Sequence, residues 1–167
     1  MLVKPLYSAA VCSECQHACL VADGEQEGNF CRLCGADNLA IPGAKFVRAD
    51  VPIFEQLERV VRDARLSKNE ATLIAGELEA VGLRWEPPEL VLQQLSLRLD
   101  GLRALYDPKQ EYSRLLLTAG MLLTIVCARM IDRTPRSSRS TRSSGIRCLA
   151  FDDHMAERDG ARLGKRG

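Results

Sequence analysis

Two Cys-x-x-Cys pairs near the N-terminus constrain the fold of this chain more than any other feature. Cys12 and Cys15 form the first pair and Cys31 and Cys34 the second, with 15 residues, Gln16 to Phe30, between them. Two residues between paired cysteines let both thiolates face one ion, and a loop of this length lets the second pair complete a tetrahedron. The spacing therefore predicts a metal site made of four cysteines.

Two further residues in this segment are candidate substitutes for one ligand. Cys19 follows Cys15 by four positions, and His17 lies between them. The simpler interpretation makes Cys19 a small buried residue and His17 an exposed polar one, because the two pairs already supply four ligands. Rubredoxin-like iron would use the same four thiolates. A redox couple needs one reactive pair at a helix N-terminus in a βαβ context, and disulfides need an oxidising compartment. Neither condition suits this segment.

The segment resembles a zinc ribbon, in which two metal-binding turns, called knuckles, flank a short hairpin. The first knuckle is CSEC, followed by a strand HACLV, a polar turn ADGEQEGN and a second knuckle CRLCG. The resemblance covers about 25 of the 167 residues and implies one Zn²⁺ per chain. Gln16 stands where a glycine usually follows the first knuckle. A four-cysteine site leaves no position for water or substrate, so it holds a fold together and does not catalyse.

Composition points to a helical remainder and to a reducing compartment. The apolar share is 46% and the aromatic share only 5%, so the core must come from aliphatic side chains. The net charge of +1 excludes a global field that recruits nucleic acid or membrane. Seven cysteines are an odd number, and the start MLVKPLYSAA lacks the long apolar run of a secretory signal. We therefore expect a cytoplasmic protein.

Hydrophobic periodicity predicts four helices between residues 50 and 132, after a glycine-containing loop GADNLAIPGAKFVRAD. Asp50 is placed to cap the first helix, and Ser67 and Glu70 of SKNE form a capping box for the second, which stops at Gly82. The third covers 89–105. The last, 109–132, contains 14 consecutive uncharged residues, fewer than the roughly 20 that a membrane span needs. We expect it at the centre of a helical cluster or at a dimer interface.

A second resemblance concerns the junction between the first two helices. The stretch DARLSKNEATLI, which starts at Asp63, is similar to the Asp-Gly-x-Ile-Ser-x-x-Glu junction of tellurite-resistance TerB-like domains, with Ala64 in place of the glycine. The match covers about eight residues, and capping chemistry alone accounts for half of them. It implies a small all-helical domain with a metal-linked role.

The chain ends in a basic segment that contains RTPRSSRSTRSSG. Residues 133–167 carry nine basic and four acidic residues, net +5, which leaves −4 on the preceding part. Such a segment cannot bury enough surface to fold, so we predict disorder. Its arginines are candidate phosphate contacts for nucleic acid, namely Arg133, Arg136, Arg139 and Arg142. The cysteine segment itself is not basic, and Phe30 is its only aromatic residue.

No catalytic pattern accompanies these features. The two histidines, His17 and His154, lie in no hydrolase motif, Asp152-Asp153-His154 is interpreted as solvated polar residues, and phosphate-binding glycine loops are absent from the sequence. We predict a mainly α protein: a zinc-ribbon module with its linker at 1–49, an antiparallel four-helix domain at 50–132 and a disordered basic tail at 133–167.

The function that these features predict is that of a non-enzymatic zinc-binding adaptor or regulator. It would act on a protein partner, or by self-association through helix 109–132, and membrane binding is not expected. Two alternatives stay open. The first is a transcription-associated zinc-ribbon protein that binds nucleic acid through its tail, and the second is a rubredoxin-like iron electron carrier.

Overall fold

Three strands precede four α-helices along the chain. The computed structural model describes residues 4–25, 27–83 and 85–131. The strands are β1 (Tyr7–Cys12), β2 (Ala18–Ala22) and β3 (Asn38–Phe46), and the helices are α1 (Val51–Asp63), α2 (Lys68–Gly82), α3 (Pro88–Leu95) and α4 (Tyr112–Met130). The mainly helical character and the small sheet agree with the sequence-based prediction. The predicted tail at 133–167 lies outside the described residues.

The strands form one antiparallel sheet in the order β2-β1-β3. β1 pairs with β2 in a continuous register from Tyr7 opposite Ala22 to Val11 opposite Ala18. Its pairing with β3 is interrupted next to Ala9, where four residues of β3, 41–44, bulge out of the ladder. Pro42 lies in this bulge, as expected for a residue without a backbone N–H. Only β2 was predicted, and the prediction of a loop after the second cysteine pair was wrong, since β3 lies there.

The start of α1 differs from the prediction in its capping. The Asp50 side chain makes no cap bond to α1. Its Oδ2 accepts a hydrogen bond from the N–H of Val47 at 2.9 Å and closes a short 3₁₀ turn, Arg48–Asp50. α1 then begins at Val51, with Pro52 in its first turn, where a missing N–H costs nothing. The helix buries Phe54, Leu57, Glu58 and Val61.

The capping box at α2 is confirmed. Ser67 Oγ accepts from the N–H of Glu70 at 3.2 Å, and Glu70 Oε2 accepts from the N–H of Ser67 at 2.8 Å. These two reciprocal bonds satisfy donors that the first helical turn would otherwise leave unpaired. The helix ends at Gly82, as the sequence indicated.

The third helix is shorter than predicted, and the fourth begins later than predicted. α3 stops at Leu95, and Gly101, with φ of +87°, leads into a 3₁₀ turn at Leu102–Leu105. The prediction of one helix over 89–105 was therefore too long, because a left-handed residue interrupts it. Asp107 does not cap α4 as predicted. Its Oδ1 accepts from the N–H of Lys109 at 2.9 Å, which forms a local turn that delays the helix to Tyr112.

α4 forms the centre of the helical part. Its buried residues are Leu115, Leu116, Thr118, Ala119, Met121, Leu122, Leu123, Ile125, Val126, Cys127 and Ala128. α1, α2 and α3 of the same chain all pack against it. By length and composition alone this helix is apolar enough to cross a membrane, but most of it is buried within the chain, as in the core helix of a soluble domain. Its predicted role in self-association stays untested.

The sheet and the helices share one hydrophobic core. Ala9, Val11 and Phe46 from the strands belong to the same buried cluster as Phe54 and Leu57 of α1. The rings of Phe46 and Phe54 lie 5.9 Å apart, centroid to centroid, at 59°, a geometry that favours edge-to-face contact. The two parts predicted at 1–49 and 50–132 are thus packed together across their boundary.

Candidate metal centre

The first cysteine pair lies at the end of β1, in a tight turn that we call the first knuckle (Cys12–His17). The N–H of Cys12 donates to the carbonyl of His17 at 2.9 Å, and the N–H of Gln16 donates to the carbonyl of Cys12 at 3.2 Å. Because the strand ends at Cys12, both thiols of the pair lie on a turn that the sheet holds in place.

The second knuckle (Cys31–Ala36) repeats this pattern of hydrogen bonds. The N–H of Cys31 donates to the carbonyl of Ala36 at 2.7 Å, and the N–H of Gly35 donates to the carbonyl of Cys31 at 2.9 Å. A further bond joins the first knuckle to the residue directly after the second, from the N–H of Ser13 to the carbonyl of Asp37 at 3.0 Å. The two turns therefore face each other with equivalent backbone geometry.

The residue that follows each pair adopts a left-handed conformation. Gly35 has φ of +76° and Gln16 has φ of +60°. Glycine reaches this region without strain, whereas other residues pay for the contact between Cβ and the backbone. The departure from the zinc-ribbon pattern at Gln16 thus changes the side chain but not the backbone geometry of the knuckle.

The four sulfur atoms form a compact cluster. All four Sγ atoms, of Cys12, Cys15, Cys31 and Cys34, lie within 4.8 Å of one another. Two pairs cross between the knuckles: Cys12 to Cys34 at 3.4 Å and Cys15 to Cys31 at 3.5 Å. Zinc–sulfur bonds of about 2.3 Å imply tetrahedral S···S edges of about 3.8 Å. Cys12, Cys15, Cys31 and Cys34 form no disulfide, and the cluster has the dimensions of a metal site.

Backbone N–H groups point at the sulfur atoms that begin each pair. Cys12 Sγ accepts from the N–H of Glu14 and of Cys15, both at 3.4 Å, and Cys31 Sγ accepts from the N–H of Leu33 at 3.4 Å. Burial raises the pKa of the Cys12 thiol, but these N–H groups and the neighbouring thiols outweigh it and lower that pKa to about 7. The turns thus stabilise a thiolate where a ligand must be ionised.

Two further thiols of the cluster, those of Cys15 and Cys34, have a raised pKa and resist ionisation as long as no cation compensates their charge. Burial, followed by the neighbouring thiols, raises the pKa of Cys15 to about 12 despite a backbone N–H bond. Four thiolates this close repel one another strongly, and a bound dication removes that repulsion. The donor set, its spacing and its N–H bonds therefore fit a divalent metal that prefers sulfur.

Neither candidate substitute ligand belongs to the cluster. Cys19 Sγ accepts a weak bond from Nδ2 of Asn38 at 3.7 Å, and burial raises its pKa to about 11. His17 Nδ1 lies 3.1 Å from Oε1 of Glu58, without the alignment of a hydrogen bond. His17 is partly buried, so the expectation of an exposed polar residue was wrong.

Sequence reasoning missed Glu58, a buried carboxylate beside the first knuckle. Its side chain is only 1% exposed and contacts His17, Arg62 and Arg129. A signal was present in the sequence: Glu58 lies on the face of α1 that carries Phe54, Leu57 and Val61. Charged residues are rarely buried unless they are paired, so an acid in such a stripe indicates a buried polar contact.

Arg133, Arg136, Arg139 and Arg142, the predicted nucleic-acid contacts, lie outside the described residues, as does His154. Among family models, curated proteins and solved structures, none matches this chain. The likeness to zinc ribbons and to TerB-like domains therefore rests on the residues quoted above. The cysteine cluster is the observation that carries a function.

Proposed function

We propose that this protein is a non-enzymatic zinc-binding adaptor, in which one Zn²⁺ per chain is held by Cys12, Cys15, Cys31 and Cys34. The observation that carries the proposal is the cluster of four Sγ atoms within 4.8 Å. Thiolate ligands in a tetrahedral arrangement suit zinc or iron, and zinc is the usual occupant of structural four-cysteine sites. Four protein ligands fill the coordination sphere, so the ion stabilises the fold and binds no substrate.

The metal content of protein purified without added metal tests the site. We expect one zinc per chain, a colourless solution, and loss of the zinc in Cys31→Ser. Cys19→Ser is the matched control, since Cys19 lies in β2, next to the strand that ends at Cys12, but outside the sulfur cluster. Zinc loss in both variants would contradict the assignment of ligands. A coloured iron protein would favour the electron-carrier alternative, and protein without metal would overturn the proposal.

Exposed apolar side chains near the metal site support the adaptor role. Phe30 and Leu33, beside and within the second knuckle, are each 58% exposed, and Leu39 of β3 is 51% exposed. A partner that covered these side chains would remove their apolar surface from water. Exposed apolar patches are typical of surfaces that contact other proteins. By contrast, most apolar side chains of α4 are covered within the chain.

The oligomeric state and the accessible apolar surface test this second part of the proposal. Light scattering is expected to find a dimer, or a complex when a partner copurifies, and a hydrophobic dye is expected to bind the free chain. A monodisperse monomer that binds no dye would contradict the adaptor role. The zinc site would be unaffected by that outcome.

A further inference from the structure

Glu58 links three segments that are distant in the sequence. Its Oε1 lies 3.1 Å from Nδ1 of His17 in the first knuckle and 3.3 Å from Nη2 of Arg129 in the last turn of α4. Its Oε2 lies 3.4 Å from Nη1 of Arg62, one turn further along α1. One carboxylate oxygen is thus shared between the metal-site turn and the end of the central helix.

Burial of the Glu58 carboxylate costs free energy, so its position depends on the charged partners around it. An isolated buried charge is strongly unfavourable, and it is tolerated only where partners compensate it. The two arginines provide that compensation, and both are themselves partly covered. If the carboxylate moved into solvent, it would lose its contacts with the two arginines. It therefore stays in place and gives the first knuckle a contact at a fixed position.

A second contact joins the same two segments. Gln16 Nε2 donates a hydrogen bond to the carbonyl oxygen of Ile131 at 2.7 Å. Gln16 and His17 directly follow Cys15, one of the four clustered cysteines. Gln16 and His17 therefore both contact the C-terminal end of α4, Gln16 directly and His17 through Glu58.

We propose that Glu58 is a positioning residue for the metal centre, which holds the first knuckle in its metal-binding geometry and couples metal binding to the C-terminal end of α4. The inference rests on the proposed function, because it presupposes that the cluster binds zinc. Coupling is reciprocal: if the end of α4 favours metal binding, bound metal stabilises the end of α4. Metal binding thereby changes the stability of the end of α4, after which residues 132–167 follow in the sequence.

Zinc affinity, measured by competition with a chelating dye, tests the positioning role. Groups that hydrogen-bond to metal ligands typically change metal affinity 10–100-fold. Glu58 acts one residue further away, through His17, and we expect Glu58→Gln to weaken zinc binding about tenfold with one zinc still bound at saturation. Glu77→Gln, which breaks the exposed ion pair with Arg98, is expected to leave the affinity within about twofold of wild type.

A third variant separates positioning from general destabilisation. Val61→Ala removes buried volume from the same face of α1 without touching a polar contact of the knuckle. We expect its zinc affinity to stay near that of wild type although its stability falls. Equal weakening in Glu58→Gln and Val61→Ala would overturn the positioning role, and so would unchanged affinity in Glu58→Gln.

Amide hydrogen exchange tests the coupling without depending on Glu58 variants. In the wild type, Zn²⁺ is expected to slow exchange at residues 127–131, the last turn of α4 and the residue after it, and Gln16→Gly is expected to reduce that effect. Unchanged exchange in this turn on zinc binding would overturn the coupling while leaving the proposed function intact. Failure of the wild type to bind zinc would overturn the proposed function, and the inference with it.

Discussion

Gln16 in the first knuckle donates a hydrogen bond of 2.7 Å to the carbonyl of Ile131, a residue 115 positions away that follows the last helix. The donor residue also has φ of +60°. Gln16 therefore combines two roles, since its backbone closes the metal-site turn and its side chain contacts the end of α4. A glycine at this position would serve the first role only.

The two roles of Gln16 contribute to stability with opposite signs, because the side-chain hydrogen bond stabilises the fold and the positive φ destabilises it. Gln16→Ala and Gln16→Gly both lose the side-chain hydrogen bond, but alanine keeps the strain of positive φ and glycine relieves it. We expect Gln16→Ala to be less stable than Gln16→Gly by about 1 kcal/mol. Urea unfolding of the zinc-loaded proteins measures the difference.

The second knuckle provides the control for this comparison. Gly35 has φ of +76°, and a Cβ added there would meet no atom within 4 Å. Gly35→Ala is therefore expected to cost about 1 kcal/mol from backbone strain alone. If alanine were tolerated at both positions without cost, the left-handed geometry of the knuckles would be wrong.

Two other glycines are expected to respond to alanine in opposite directions. A Cβ on Gly28 would overlap with Cγ1 of Val21, and this β-branched side chain has little freedom to move away. We expect Gly28→Ala to destabilise the protein by about 1–3 kcal/mol. Gly76 lies in α2 with open space around its Cβ position, so Gly76→Ala is expected to stabilise by about 1 kcal/mol.

Thermal unfolding of both variants at one zinc concentration tests this pair of predictions. Their order is more informative than either value, because the same substitution is made in both. A stabilising Gly28→Ala would mean that the short 3₁₀ turn at Glu27–Asn29 does not pack against Val21 as described.

The capping box of α2 predicts a specific dependence on pH. The N–H of Ser67, followed by the Ser67 hydroxyl, lowers the pKa of the Glu70 carboxyl. A lowered folded-state pKa stabilises the fold above the unfolded pKa of about 4.3, and this contribution disappears as the pH falls through the folded value. Wild type should therefore exceed Glu70→Gln in stability at pH 6, and the difference should shrink as the pH falls below about 4.3 and vanish once the pH is below the folded-state pKa.

Comparison of the two proteins at each pH isolates this effect from acid release of metal, which affects both equally. Ser67→Ala is a second check, because it removes the hydroxyl that caps the helix and should cost about 1 kcal/mol. A wild-type advantage that stays constant as the pH falls below about 4.3 would contradict the assigned role of the ionised carboxylate.

The parts of this fold that the sequence predicted are those set by local rules. The cysteine spacing and the Ser67–Glu70 box each need only a few neighbouring residues, and both agree with the structure. β1 and β3 were missed because each is stabilised by the other across more than 25 residues. β3 is also interrupted by a bulge around Pro42, which removes the alternating pattern that would identify a strand.

The contacts of Glu58 and Gln16 were missed for the same reason, because their partners are distant in the sequence. Nothing near Glu58 in the sequence indicates that Arg129, 71 positions away, is one of its two arginine partners. Similarly, Gln16 looked like a defect in the zinc-ribbon pattern, because its partner Ile131 lies at the far end of the described chain. Metal ligands are visible in the sequence, whereas the residues that position them depend on the tertiary fold.

Removal of the metal is expected to affect the whole protein and not the sheet alone. Phe46 of β3 packs on Phe54 of α1, and Ala9 and Val11 belong to the helical core. Loss of the proposed zinc would loosen the first knuckle, which ends β1, so the shared core would lose part of its support. We expect chelation to lower the midpoint of helix unfolding in urea.

Cobalt substitution provides the matching measurement in the metal-loaded protein, because tetrahedral cobalt–thiolate sites absorb visible light. If the sheet and helices unfold as one unit, the cobalt absorption and the helical circular dichroism should disappear at the same urea concentration. An earlier loss of the cobalt signal, with helix unfolding unchanged by chelation, would mean that the metal module unfolds independently. Such a result would contradict the shared core, because the Phe46–Phe54 contact would then contribute nothing to the stability of the helices.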